Sequence, residues 1–177
     1  MVELSGRPLI SYPYAAMMRS DLTEVAIVVK PGTELPGLAG ATVWIESEAS
    51  HHPLVGIVAA LALAGDRPVL VCAADLPFVS PHSISRIAHA DPAGAPAVLS
   101  SCRGVVAPLL ACYQPDAIEL LADAALQARL PVQEAVAAIG PSPLEIEDPD
   151  ELFTVKTPDD LLQAAGMLDR RRRLTQR

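Results

Sequence analysis

Aromatic residues make up only 3% of the 177-residue chain. Only two of its 13 cationic residues are lysines, Lys30 and Lys156, and the formal net charge is −8. A general nucleic-acid binder needs a basic face, so this balance argues against that class. It leaves open a nucleotide substrate, because a pocket can be locally positive and a divalent cation can offset phosphate charge. No apolar run approaches the ~20 residues that span a bilayer. The start MVELSGRPLI has neither the apolar core nor the cleavage pattern of a signal peptide. A soluble, cytoplasmic protein is the expectation, with no membrane partner. Cys72, Cys102 and Cys112 are odd in number and lack CxxC spacing, which excludes a disulfide frame or a Cys-based zinc site. His51, His52, His82 and His89 form no HExxH-type motif. The adjacent pair His51-His52 reads as a solvated loop or as a ligand contact ahead of a helix.

What the chain has is aliphatic. Hydrophobic residues are 51% of the sequence, mostly Ala, Val, Leu and Ile. The run Val69–Ala74 has no polar alternation and fits a strand covered on both faces. It ends on Asp75. A carboxylate just past a buried strand sits where α/β proteins place ligands, outside the strand carboxyl ends. Two readings of Asp75 stand side by side: a turn residue, or a ligand for Mg²⁺ carrying a nucleoside triphosphate. Mg²⁺ commonly takes one or two carboxylates and completes its shell with phosphate and water.

Patterning predicts a helix over residues 6–19 containing Pro13, which either kinks it or marks its true start. Strands follow over Val25–Val29 and Thr42–Glu46, then a helix over Pro53–Ala64 with proline at its start and Gly65 at its end. Ser80-Pro81 reads as an N-cap followed by proline at the first helical position. Further on come two strands over Ala97–Ser100 and Val105–Tyr113, joined around Arg103-Gly104. Helices over Asp116–Leu130 and Val132–Ile139 and short strands over Leu144–Glu147 and Leu152–Val155 complete this half. Thr157-Pro158-Asp159-Asp160 opens a last helix to about Leu168. This alternation predicts one α/β domain over residues 1–169, with a mainly parallel sheet and right-handed crossovers. Arg170–Arg173 reads as a basic tail over residues 170–177, either solvated or bound weakly to an anionic partner.

Four segments, in this order, resemble the molybdenum cofactor guanylyltransferase branch of the nucleotidyltransferase superfamily. They are Ser5-Gly6-Arg7-Pro8-Leu9, His52-Pro53-Leu54-Val55-Gly56, Ala73-Ala74-Asp75-Leu76-Pro77-Phe78, and Phe153 through Leu161. The resemblance implies a three-layer nucleotidyltransferase fold with a Rossmann-like, mainly parallel (mixed) sheet and helices on both faces. It implies transfer of GMP from GTP to a phosphorylated small-molecule acceptor, the molybdopterin cofactor, with Mg²⁺ as cofactor and pyrophosphate as product. Carried over by residue, Asp75 becomes the catalytic Mg²⁺ ligand. Pro53, Leu54 and Gly56 lie against the nucleotide, Glu46 contacts base or ribose, and Arg7 belongs to the nucleotide site. Thr154 and Lys156 face the acceptor.

Two departures from the family pattern bear on this reading. The family's Gly-rich loop, LxGGxSxRxGxxK, follows its first strand and precedes the GRPL segment. Here Met1-Val2-Glu3-Leu4 stands beyond the place where that loop ends, so the first strand and the phosphate cradle are missing from this sequence. Near the other end the family commonly reads NVNTPEDL, and this chain reads TVKTPDDL. Other readings therefore stay open: a cytidylyltransferase, a sugar-phosphate nucleotidyltransferase, or a non-catalytic binding module. A sheet without a central strand is expected to expose two unpaired ladders and apolar surface, and with them marginal stability or self-association.

Overall fold

The computed structural model describes residues 2–35, 38, 40–46, 52–127 and 130–175. The chain opens with a hairpin, β1 (Glu3–Leu4) and β2 (Arg7–Pro8). Its turn residues Ser5 and Gly6 have φ of 49° and 75°, the positive values that a tight two-residue hairpin loop requires. Helix α1 therefore spans only Ser11–Met17. Pro13 falls in its first turn, where a missing N–H costs no intrahelical bond. The helix expected from residue 6 is thus corrected, and Pro13 lies near its true start.

Strands β3 (Ala26–Val29) and β4 (Thr42–Ile45) pair in parallel. Helix α2 covers Pro53–Ala64. Strand β5 (Val69–Cys72) leads through the Asp75 loop into α3 (Pro81–Ala88). Ser80 caps α3 by accepting from the Ser83 amide at 3.1 Å. Strands β6 (Ala97–Cys102) and β7 (Val105–Tyr113) form a second hairpin. Its turn residues Arg103 and Gly104 again have positive φ, 52° and 81°. Helices α4 (Ala117–Gln127) and α5 (Val132–Ala138) precede β8 (Ser142–Glu145), which pairs in parallel with β6. A 3₁₀ turn, Pro149–Leu152, and α6 (Pro158–Thr175) follow. The strand expected over Leu152–Val155 is replaced by this turn and an irregular extended segment, because Phe153 turns inward to pack on Phe78, ring centroids 6.1 Å apart.

The result is an α/β, three-layer arrangement with a mixed sheet in the order β5-β7-β6-β8; β7 runs antiparallel to both neighbours. Successive residues of β7 face opposite layers, as the period of a strand demands. Ala111 and Tyr113 pack with Leu54, Ile57, Leu61 and Leu121 from α2 and α4. Leu110 and Cys112 pack with Ala16, Ile84 and Ile87 from α1 and α3.

The last helix, expected to end near Leu168, is longer: α6 continues through the arginines to Thr175, with Arg170, Arg172 and Arg173 exposed. Arg171 lies 2.7 Å from Asp148 and 3.3 Å from Asp150 and stacks 4.9 Å over the Phe78 ring. Arg171 thus ties this part of α6 to the 3₁₀ turn and to Phe78, and cations there also suit a helix carboxyl end. Among the described residues, no helix is long and apolar enough to cross a membrane.

Candidate active site

Side-chain contacts fix the direction of β3 and β5. Glu24, just before β3, is paired at 2.8 Å with Arg67, just before β5, so both strands start at one end. At the other end, a Cβ built on Gly56 in the first turns of α2 would lie 4.0 Å from Val28 of β3 and 2.9 Å from Glu46. Helix α2 then runs back toward Arg67. So β3, β4 and β5 all end on one edge, and the residues that follow them, Lys30, Glu46 and Asp75, share it. That edge is the crevice where ligands of α/β proteins sit.

Each side chain is held there by its surroundings. The Glu46 amide donates to the Val29 carbonyl at 2.9 Å, extending the β3–β4 ladder by one bond. Its carboxylate meets the Lys30 ammonium at 3.2 Å, with both side chains mostly covered. What comes closest to Gly56 is this carboxylate, for which the missing side chain makes room. Pro53 is exposed at the first position of α2. Leu54 is wholly buried in the core, and its side chain is closed to any ligand. The cap of α2 is His52: its Nδ1 accepts from the Leu54 amide at 3.3 Å, and Nε2 lies 2.9 Å from the Leu130 carbonyl. This arrangement assigns the ring proton to Nε2 and gives His52 a structural task. His51 lies outside the described residues.

Asp75 is half-buried. Burial pushes its carboxyl above the ordinary range, opposed by the positive charge of Lys156. The Asp75 carbonyl accepts from the Val155 amide at 3.0 Å, which brings the segment of half-buried Thr154 and exposed Lys156 alongside. The N-terminal hairpin closes the same end. Leu4 and Leu9 pack with Phe78, Val155 and Met167, and Arg7 stacks 4.9 Å over Tyr12. The structure thus brings the Thr154–Lys156 segment beside Asp75 through the Val155 bond, with the Lys156 charge felt at the carboxyl, and places Lys30 and Glu46 on the same sheet edge.

One residue that sequence reasoning missed is Glu151. It is buried, and its carboxylate accepts from the Ser80 amide at 2.9 Å and the Ser83 hydroxyl at 3.0 Å. It anchors the 3₁₀ turn to the start of α3, just after the Asp75 loop. Nothing in the acidic run EDPDEL marks this glutamate among its neighbours.

Among the described residues, no group of three or more His, Cys, Asp or Glu side chains could hold a metal ion by itself. A lone half-buried carboxylate suits instead a hard cation whose other ligands come from phosphate and water.

An α/β sheet with acid and lysine side chains along its carboxyl edge carries its ligand site there, and comparison with known proteins supplies the class, a nucleotidyltransferase domain. Over residues 1–139 the chain matches the family described as the MobA-like NTP transferase domain, and it belongs to that family. Molybdopterin-guanine dinucleotide biosynthesis protein A from Archaeoglobus fulgidus is similar in structure, with a TM-score of 0.78, 23% identity, and coverage of 96% of this chain and 89% of that one. So is 2-C-methyl-D-erythritol 4-phosphate cytidylyltransferase from Thermus thermophilus, with a TM-score of 0.69, 22% identity, and coverage of 93% and 90%. No curated protein matches the sequence significantly.

Proposed function

We propose that the protein transfers a nucleoside monophosphate, GMP from GTP, to a phosphorylated acceptor of the molybdopterin type and releases pyrophosphate. The observation that carries this is the half-buried Asp75 on the carboxyl edge, beside Lys156 and on the same edge as the Lys30–Glu46 pair. Asp75 would hold Mg²⁺ together with triphosphate oxygens; when bound, the ion neutralises charge on the reacting phosphates. The acceptor phosphate oxygen attacks the α-phosphorus, the bond to the β-phosphate oxygen breaks, and pyrophosphate leaves with that electron pair. A phosphate nucleophile is already ionised, so the protein's task is positioning and charge stabilisation rather than proton abstraction. Lys156 and Thr154 are assigned to the acceptor, and Glu46, Pro53, Gly56 and Arg7 to the nucleotide side. Leu54 acts there only through its backbone. The family membership and the fold support a nucleotidyltransferase; the choice of guanine and of this acceptor is the proposal.

The test is calorimetric titration of GTP, CTP and UTP with and without Mg²⁺, on the wild type and on Asp75→Asn. The expected result is Mg²⁺-dependent binding that favours GTP and is lost in the variant, while the variant's unfolding temperature does not fall. Binding of equal strength to all three nucleotides, or binding unchanged by Asp75→Asn, overturns the assignment.

A further inference from the structure

One member of the arginine run reaches the loop that carries Asp75. Arg171 is half-buried, whereas Arg170, Arg172 and Arg173 are exposed. Its guanidinium lies 2.7 Å from Asp148 Oδ2 and 3.3 Å from Asp150 Oδ2. Asp148 is the cap of the 3₁₀ turn: its other oxygen accepts from the Asp150 amide at 3.0 Å. The same guanidinium stands 4.9 Å over the ring of Phe78, a buried residue of the Asp75 loop. Phe78 packs in turn on Phe153, and Val155 just beyond donates its amide to the Asp75 carbonyl at 3.0 Å. The loop has little to hold it from within. The Leu76 amide reaches the Ala73 carbonyl at 3.4 Å, longer than a well-formed bond, and Pro77 has no N–H to give. Partners from outside the loop therefore set its shape.

We propose that Arg171 is a positioning residue for the transfer: by clamping Phe78 to the 3₁₀ turn it keeps Asp75 in register with the Thr154–Lys156 segment. This rests on the assignment above of Asp75 to the metal and of that segment to the acceptor. Arg171 acts through Phe78 and not on a reactant. Its guanidinium is flat and permanently charged, so it stacks on a ring and offers N–H groups to carboxylates at the same time; a lysine ammonium in its place has no plane to stack. The clamp joins two segments that are far apart in sequence and that carry the two sides of the reaction. Group transfer depends on that relative placement, and a shift of about 1 Å there costs on the order of a hundredfold in rate.

The test compares the full chain with Arg171→Met, which keeps the length of the side chain and loses its charge and plane. Amide hydrogen exchange is read by NMR at several urea concentrations below unfolding. The Val155 amide reports the bond to Asp75, and the Ala111 amide, in the buried part of β7, reports the fold as a whole. The expected result is Val155 exchange about tenfold faster in the variant, the loss of one stack and one ion pair, and nearly independent of urea, the mark of a local opening. Arg173→Met, at an exposed neighbour, should leave Val155 at the wild-type rate. In calorimetry the Arg171→Met variant should bind GTP roughly fivefold more weakly at saturating Mg²⁺, and like the wild type without Mg²⁺. Unchanged Val155 exchange overturns the proposal. So does Val155 exchange that rises in step with Ala111 and with the same urea dependence, which would make Arg171 a support of the whole fold. An equal effect of Arg173→Met, or faster Val155 exchange with Mg²⁺-dependent binding of wild-type strength, overturns it too. If the wild type itself binds no nucleotide, the proposed function falls, while the exchange rates still decide whether Arg171 sets the register of the two segments.

Discussion

Gly56→Ala sets two effects of similar size against each other, and the geometry says how they sum. Gly56 lies within α2, so alanine there gains up to about 1 kcal/mol of helix propensity. The new Cβ would stand 2.9 Å from Glu46 Oε2, closer than such atoms approach. The obstacle is the far end of a flexible side chain, so the carboxylate swings away and the backbone stays. Moving it releases Lys30, 3.2 Å from Oε1, from a pair whose side chains are only 24% and 15% exposed. A pair covered to that degree contributes on the order of 1 kcal/mol. The expected net change in stability is therefore within about 0.5 kcal/mol of zero.

The same substitution made on a Glu46→Ala background meets no carboxylate and should keep its full gain of about 1 kcal/mol. The difference between backgrounds, on the order of 1 kcal/mol, is the coupling between the two positions. Urea denaturation of the four proteins measures it; in thermal melts the coupling corresponds to roughly 2–4 °C for a chain of this size. Equal gains in both backgrounds would refute the reasoning, because Glu46 would then not lie over Gly56.

Replacing Glu151 with Ala leaves the Ser80 amide and the Ser83 hydroxyl without their buried acceptor, and should cost about 2–4 kcal/mol. Glu151→Gln retains an acceptor oxygen and should cost markedly less; equal losses in urea denaturation would show that the hydrogen bonds are not the cause. Alkaline pH should also destabilise the protein. Burial pushes the Cys72 thiol up to about 12, with the Asp75 charge adding to it, and pushes Cys112 up to about 11; the Tyr113 phenol is raised by burial as well. These groups ionise more readily in the unfolded chain, so their contribution is intact below about pH 9 and is lost as pH rises from there through 11 and 12. The slope reaches about 1.4 kcal/mol per pH unit for each thiol. A Cys72→Ala/Cys112→Ala variant should flatten the stability profile above pH 9, and an unchanged slope would refute the assignment.

Where local chemistry decided the structure, the sequence was readable. Pro53 and Gly65 bracket α2, with Gly65 at a φ of 65°; Ser80-Pro81 starts α3; and Asp75 follows an apolar strand onto the sheet edge. These features rest on dihedral preferences and patterning over a few residues. The misreadings share a different cause, contact between segments distant in sequence. Residues 6–10 have a helical pattern, but Leu4 and Leu9 bury against Phe78, Val155 and Met167, and that packing fixes a hairpin before α1. The last helix reads as ending near Leu168 until Asp148, Asp150 and Phe78 are placed around Arg171. The site divides in the same way. The position of Asp75 could be read locally, whereas Glu151 is one acid among several in its stretch and acquires a role only when the 3₁₀ turn packs against the start of α3. The Asp75 loop is accordingly held by its neighbours at both ends: Val155 bonds the Asp75 carbonyl, and Glu151 bonds the Ser80 amide. Both neighbours come from the segment between β8 and α6, about seventy to eighty residues further along the chain, so the geometry around the proposed catalytic acid is fixed by packing that no reading of the Asp75 region alone could supply.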